Sequence, residues 1–491
     1  MRVGSLKMGK AYKFSQVLKC LLIMVAVMLA MKFSGGAGFL VVVPLILMSM
    51  MRGDSVQLFF YLMVTVSMLM GNAYLMPKDM AFGLAQRGLM VLLGSAMALR
   101  CAGQRNSPVV KPLLLLILYL VVAAVSSLQG WNAMISYMKL FLFLMIFLAY
   151  YGVANEVAQS SQHGVVPSVR AAFLAVAIFF ILGSVLLLPF PAIGQLTGAE
   201  FEEALRNGKT MTSLFKGMTM HSQSLGPIVV MLFIVLLGDM VLSIRRADKL
   251  YMLLLLLCPV LIYKTSSRTA MGGLLFGAML LLNGVMRAHG LRSGWKGKVV
   301  SVFMLILTLG LVAALLIPSV RDGISSFALK SQNAGFEDVN MEQLTITRKG
   351  KWEEGIANFK RSPVIGNGFQ VSANMMGYEP GFLTLSAPVE KSVWISAVLE
   401  ETGFIGFSVF LFFVLVVWMQ GAKNRCYIGN TAFLTFLVLN LGEFTFFSMS
   451  HTGGFQWAMV FVAYMFDAHR NLERSRETLI PMTAKAWCGE V

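Results

Sequence analysis

Charge is what this sequence has least of. Asp, Glu, Lys and Arg make up 13% of its 491 residues, and histidine and cysteine number five each. So small a charged fraction, beside 57% apolar residues, excludes a soluble multidomain protein, which would need far more polar surface to cover its cores. The five cysteines, Cys20, Cys101, Cys258, Cys426 and Cys488, are all cytoplasmic or intramembrane in the topology that the Lys and Arg placement implies, so none is expected to form a disulfide in the outer compartment. No Cys/His spacing resembles a metal site, and no D-x-D or carboxylate cluster suggests a divalent ion, so no metal and no cofactor is expected. No internal repeat is visible, which removes the sequence sign of an inverted-repeat transporter without excluding one.

Long apolar runs are what fill the chain. Mean hydropathy is +0.75, and a bilayer crossing takes about 20 residues. Fourteen segments qualify, roughly 17–33, 37–51, 56–75, 83–99, 111–128, 133–153, 169–190, 224–243, 250–265, 269–286, 299–317, 403–420, 427–447 and 454–468. Arg87 lies inside the fourth and the last is short, so twelve to fourteen spans are expected. The fold class is an all-α polytopic membrane protein with a large helical extracytoplasmic loop domain. Its divisions are 1–317, transmembrane helices with a cytoplasmic N-terminus; 318–392, the loop domain; 393–468, the C-terminal spans; and 469–491, a cytoplasmic tail. The 36 methionines serve as flexible apolar filler.

Net charge is +17, from 40 Lys and Arg against 23 Asp and Glu. In a soluble chain that excess would suggest nucleic acid. Here it follows the positive-inside rule: with the N-terminus inside, 23 of the 40 basic residues fall in cytoplasmic segments. The short outside connections hold only Lys32, Lys78, Lys264 and Arg268, and the two long outer segments, 191–223 and 318–392, are exempt. Both termini are expected inside. The first span, with its basic front, lacks a small-residue cleavage pattern and reads as an uncleaved anchor.

Polar chemistry concentrates in the outer segments. In KGKWEEGIANFKR, residues 349–361, Trp352, Ile356 and Phe359 share one helical face, which suits an amphipathic helix lying on the membrane or the bundle. Alternatively that helix positions Arg348, just ahead of it, over the outer mouth. Pro363, Gly366 and Gly368 in PVIGNGF mark a turn. In KTSSRTAMGGLL, Ser266 or Ser267 can cap the next helix, placing Arg268 at its N-terminus. There an arginine either binds an anion or snorkels to lipid headgroups. In APVEKSVWISAVLEETGFIG, Glu390 and Glu401 are three helical turns apart and share a face with Trp394. A carboxylate entering the membrane, as Glu401 does, normally has a partner. His221, in KGMTMHSQSLGP, and His451 are the two outer histidines; a lone histidine is more often structural.

Taken in order, these segments resemble the O-antigen ligase and polymerase superfamily of bacterial envelope glycosyltransferases. The matching residues are Ser267-Arg268, Arg348 with Trp352, Pro363/Gly366/Gly368/Phe369 and Glu401/Gly403/Gly406. HSQSLG is similar to the family's H-P-N-x-L-G. The likeness covers roughly residues 216–410. Two features depart from it: Glu390-Lys391 stands, offset by about two residues, where relatives often have His-Asn, and Lys216 or Lys209 replaces a common arginine.

The resemblance implies a metal-independent transfer of glycan from a polyprenyl-diphosphate carrier on the outer face of a bacterial inner membrane. Its partners would be that donor, a glycan or lipid-linked acceptor, the lipid bilayer and other membrane proteins of polysaccharide assembly, with no nucleic acid. A diphosphate leaving group needs delocalised cations, and arginine supplies a fork of donors that stays charged. Arg268 and Arg348 take that role, with Lys391, Lys264 and Lys216 as further cations and Trp352, Trp394 and Glu401 in support. The acceptor hydroxyl needs a base within hydrogen-bond reach. Glu390 ranks first by its expected place in a first helical turn, and His221 second by its intrinsic pKa. A polysaccharide polymerase is the leading reading, and a ligase acting on lipid A core or protein the alternative. A flippase or transporter is the competing class, with Lys139 and Glu443 as candidate mid-membrane ionisable groups.

Overall fold

The computed structural model describes residues 12–76, 80–101, 110–159, 165–195, 215–243, 248–289, 341–373, 391, 393–442, 444–449 and 452–487. Helix accounts for nearly all of them, and among the described residues the only β pairing is two isolated bridges, Gly71 with Thr219 and Gln195 with Phe215. In chain order the helices are α1 (Phe14–Ser34), α2 (Val42–Arg52), α3 (Ser55–Met70), α4 (Met80–Cys101), α5 (Val110–Leu128), α6 (Ala133–Gln159), α7 (Val165–Leu186), the single turn α8 (Pro191–Gly194) and α9 (Ser222–Gly238). Then come α10 (Lys249–Thr265), α11 (Arg268–His289), α12 (Met341–Arg361), α13 (Trp394–Lys423), α14 (Tyr427–Leu439) and α15 (Thr452–Trp487). Six helical stretches among the described residues are long and apolar enough to cross a membrane, and three shorter ones are similarly apolar. The protein is an all-α polytopic membrane protein.

Thirteen of the fourteen apolar segments coincide with helix, and the remaining one, 299–317, lies outside the described residues. The first two segments form one continuous helical stretch by length, yet the chain reverses between them. Gly35 takes φ 61° after α1, and the 3-10 turn Gly35–Val41 folds back until Gly38 lies directly on the Ala30 carbonyl. At some helix starts a side chain caps the first turn. The Asp54 side chain accepts from Gln57 N at 3.0 Å to open α3, and Asp248 accepts from Leu250 N at 2.9 Å to open α10.

The centre of the bundle is α9, whose side chains from Leu225 to Leu236 are almost all buried. Close packing around it relies on small residues, as is usual when helices cannot gain by leaving water. Gly273 and Gly277 put one stripe of α11 against Val230 and Ile234 of α9 and against Thr435 and Leu439 of α14. Many of the phenylalanines then make one connected ring cluster, in which Phe446 meets Phe410, Phe436, Phe447 and Trp457 at centroid distances of 4.8–5.2 Å.

Hydrogen bonds and ion pairs sort the polar residues to two ends. At one end, Arg170 of α7 forks onto Asp239 at 2.9 Å, Tyr251 donates to the same carboxylate at 2.7 Å, and Arg470 pairs with Asp467 at 2.9 Å. Asp239 opens a π-helical turn, Asp239–Ser243, that ends α9. The other end gathers Lys32, Gly71–Tyr74, Phe215–His221, Ser266–Arg268, Pro363–Gln370, Lys391, Asn440–Gly442 and Phe444–Met449, and the candidate site lies there.

Candidate functional site

Two neighbouring carboxylates and a lysine lie buried where α13 begins. Lys391 Nζ is 3.4 Å from Glu400 Oε1 and 3.1 Å from Glu401 Oε1, and each of the three residues is at most 7% exposed. Asn358 of α12 donates to Glu400 at 3.2 Å. Among the described residues, neither carboxylate oxygen of Glu401 has a hydrogen bond of good geometry, so charge attraction holds it. Burial alone disfavours the charged form of Lys391, but the two carboxylates outweigh it and hold the lysine above its usual pKa. Lys139 of α6 is close enough to Glu401 to feel its charge, and its ammonium donates to the Gln370 carbonyl at 2.9 Å.

The PVIGNGF turn builds this pocket. Its backbone runs beside α13 at the point where that helix breaks, Gly403 taking φ 63° and ψ −168°. Asn367 N donates to Glu400 O at 2.8 Å, Gly368 N to Glu401 O at 3.1 Å, and Phe404 N to Pro363 O at 2.8 Å. The carbonyls and amides orphaned by the break are therefore matched by the turn. A Cβ on Gly366 would lie 2.4 Å from the Glu401 carbonyl, and one on Gly403 would lie 2.3 Å from Val364 O, so glycine is required on both sides of the contact. The α5–α6 hairpin closes the third side. Ser126 donates to Glu401 O, Gly368 N and Phe369 N donate to Ser126 and Ser127 at 3.1 and 3.2 Å, and Trp131 N donates to Asn367 O at 3.2 Å.

A second turn, described over 440–442 and 444–449, joins this cluster to the arginine hairpin. Trp394 N donates to Asn440 O at 3.2 Å and Phe444 N to Lys391 O at 3.1 Å. On the same turn Gly442 sits against Thr269, where a Cβ would fall 2.4 Å from the threonine methyl. Arg268 and Lys391, separated by more than 120 residues in sequence, thus stand on one platform. Ser266 caps the end of α10 in the left-handed region (φ 48°), and Ser267 Oγ accepts from Ala270 N at 3.3 Å to open α11, so Ser267 is the cap for Arg268's helix. Lys264 lies in the last turn of α10, partly buried. The start of α9 touches the same hairpin through Gly226, within 3.0 Å of Ser267 and Ala270 for a Cβ. His221 is the exposed N-cap of α9, and Lys216 is a buried residue of the preceding turn, its amide on Gly194 O at 2.8 Å.

Several expectations change in detail. Arg348 is not ahead of the amphipathic helix but inside it, because α12 starts at Met341; its side chain lies outside the described residues. The face that docks α12 on α13 is not the aromatic one. Gly355 and Asn358 make the contact, against Ser396 and Glu400, while Trp352 and Ile356 are 44% and 48% exposed. Helix α13 begins at Trp394, with Val393 extended (φ −135°, ψ 138°), so the helical spacing that joined Glu390 to Glu401 does not apply. Glu390, Lys209, Glu443 and His451 lie outside the described residues. Lys391 points inward as the partner of Glu401 and Glu400, and Trp394 stacks on Phe407 at 6.3 Å. Lys139 is six steps into α6, about 9 Å from the helix's first residue at 1.5 Å per residue.

Sequence reasoning missed Glu400, Ser126, Ser127, Asn358 and Asn367. Each is an ordinary polar residue with no local signal of its own, and only the long-range turn contact gives it a role. The same holds for the platform of 440–442 and 444–449, which reads as the ragged end of a span. Among the described residues, no three His, Cys, Asp or Glu side chains converge as metal ligands would. Compared with known proteins, the sequence matches no family model and no curated protein.

Proposed function

We propose that the chain is a glycosyltransferase that uses a polyprenyl-diphosphate-linked glycan, and that the end holding Arg268 and Lys391 faces the outside of a bacterial inner membrane. The observation that carries the reading is the shared platform: Arg268, Lys264, Lys391 and the His221 helix start meet at one end, above a largely apolar bundle. In the proposed step an acceptor hydroxyl attacks the anomeric carbon, the bond from that carbon to the diphosphate oxygen breaks, and the diphosphate departs with the bonding pair. Arg268 and Arg348 bind the departing charge in bidentate fashion. Lys264 and Lys216 add point charges, and Lys391 holds the Glu400–Glu401 wall in shape. Glu390 or His221 takes the hydroxyl proton. A helix N-terminus such as that of α11 suits the arriving anion, and the anion offsets the cost of an arginine there.

Within this class we favour a polymerase acting on a second lipid-linked glycan over a ligase. A transporter would be expected to keep its ionisable groups at mid-membrane. Here the Lys391–Glu401 cluster and Lys139 lie within about 10 Å of their helix ends, which speaks against it. Deleting the gene and resolving the lipid-linked glycans by mass spectrometry separates the three. Single repeat units accumulating on the carrier outside support the polymerase. Full-length unattached chains indicate a ligase, and repeats trapped inside indicate a flippase; either overturns the favoured reading.

A further inference from the structure

At the other end of the bundle, α5, α6, α13, α14 and α15 leave a cavity of about 520 Å³. It is as large as pockets that hold small molecules. The floor is aromatic: Phe147, Phe433 and Phe461 surround Trp457 at centroid distances of 5.1–6.1 Å. The one polar atom of Trp457 is already committed, since Nε1 donates to Phe446 O at 2.8 Å, and the Tyr464 hydroxyl at the wall donates to Asn430 at 3.0 Å. The floor therefore offers ring faces and takes hydrocarbon.

The rim is the opposite. Lys423 and Arg425 line it with exposed side chains, Arg474 lies beside them, and among the described residues no acidic side chain lines the cavity. Their loop is fixed in place. Arg425 adopts φ 55° while its carbonyl accepts from Arg470, and Asn424 O accepts from Asn471 at 2.8 Å, so two residues of α15 stitch the α13–α14 turn down. The backbone amides of 424–426 are all used within the turn, which leaves the cationic side chains to meet a ligand. Beside both walls the outer surface is apolar: Leu114, next to the lining Leu113, is 59% exposed, and Trp418, next to Val417, is 47% exposed.

We propose that this cavity binds one anionic phospholipid, with an acyl chain on the Trp457 floor and the phosphate headgroup on Lys423 and Arg425. It is separate from the transfer site. The 20 residues of α13 after its break at Gly403, about 30 Å at helical rise, separate the Glu400–Glu401 end from Lys423. The inference stands whether or not that site transfers glycans. A lipid that binds only the folded protein stabilises it, and the cationic rim selects for negative headgroups.

The test uses the purified full-length protein, with native mass spectrometry and thermal unfolding in nanodiscs of phosphatidylglycerol or phosphatidylcholine with identical acyl chains. One retained phosphatidylglycerol per chain and a higher Tm than in phosphatidylcholine are expected. The double variant Lys423→Gln/Arg425→Gln, on an exposed turn, should lose that preference by about tenfold or more. Ala154→Trp should fill the cavity and lose the retained lipid with the rim intact. Equal retention of both lipids by the wild-type protein overturns the proposal, as does undiminished retention by the double variant. Stabilisation by inorganic phosphate alone, in phosphatidylcholine, overturns it too, because that would make the rim a simple anion site.

Discussion

Lys391 shows how much one buried side chain can hold together. It is the only described ammonium in ion-pair contact with Glu400 and Glu401, so removing it would leave two buried carboxylates with only the Asn358 amide and the more distant charge of Lys139 to offset them. Breaking a buried pair by deleting one partner costs about 3–5 kcal/mol. Lys391→Met should therefore lower the Tm of the detergent-purified protein by several degrees or prevent its accumulation, whereas Lys351→Met, at an exposed pair, should change it little. The pKa of Lys391 is raised in the fold, so its contribution is complete below the ordinary lysine value and declines only as pH rises through the higher folded one. No loss of stability from this group is expected between pH 6 and about 9. Part of this was legible in the sequence. A carboxylate at the edge of an apolar run implies a partner, which singled out Glu401. Glu400 beside it carried no separate signal, and neither did the choice of Lys391, because pairing across an extended segment follows no helical spacing.

Helices were legible as elements, and their breaks less so. Fourteen apolar runs and the position of Pro363 were enough to draw most of the bundle, and even the span drawn from residue 403 marks the true restart of α13 after its break. The dock between that break and the PVIGNGF turn needed tertiary contact to be seen, although Gly366, Gly368 and Gly403 were all visible as glycines. Gly403→Ala would force a Cβ into Val364 O at 2.3 Å and an L-residue into φ 63°. A loss of about 2 kcal/mol or more is expected, read as a lower Tm, with Gly350→Ala, on the open surface of α12, close to neutral or slightly stabilising. The amphipathic reading of α12 found the helix but left open whether its aromatic face meets the membrane or the bundle. Periodicity marks an apolar stripe; it does not say that Gly355 and Asn358 give a closer fit and a hydrogen bond to Glu400. Trp352 and Ile356 are then left outward, where a membrane-boundary position suits them.

At the scale of the whole molecule, the charge pattern and the contact pattern separate the same two ends. Arg170, Lys423, Arg425 and Arg470, placed inside by the positive-inside rule, gather at one end, and the Arg268 and Lys391 turns gather at the other. In a cysteine-free background, Glu353→Cys should react with a membrane-impermeant maleimide in intact spheroplasts, and Ala422→Cys only after permeabilisation; the reverse pattern would invert the proposed orientation. Glycan transfer itself is the central claim. Purified protein in liposomes, supplied with a polyprenyl-diphosphate-linked repeat unit, should yield a ladder of longer lipid-linked glycans by gel and mass spectrometry. Arg268→Ala and Arg348→Ala should abolish the ladder, and the two Lys variants should retain about a tenth of the rate or less, for want of the guanidinium fork. A wild-type protein that leaves the donor unextended, or alanine variants that extend it at the wild-type rate, would contradict the account.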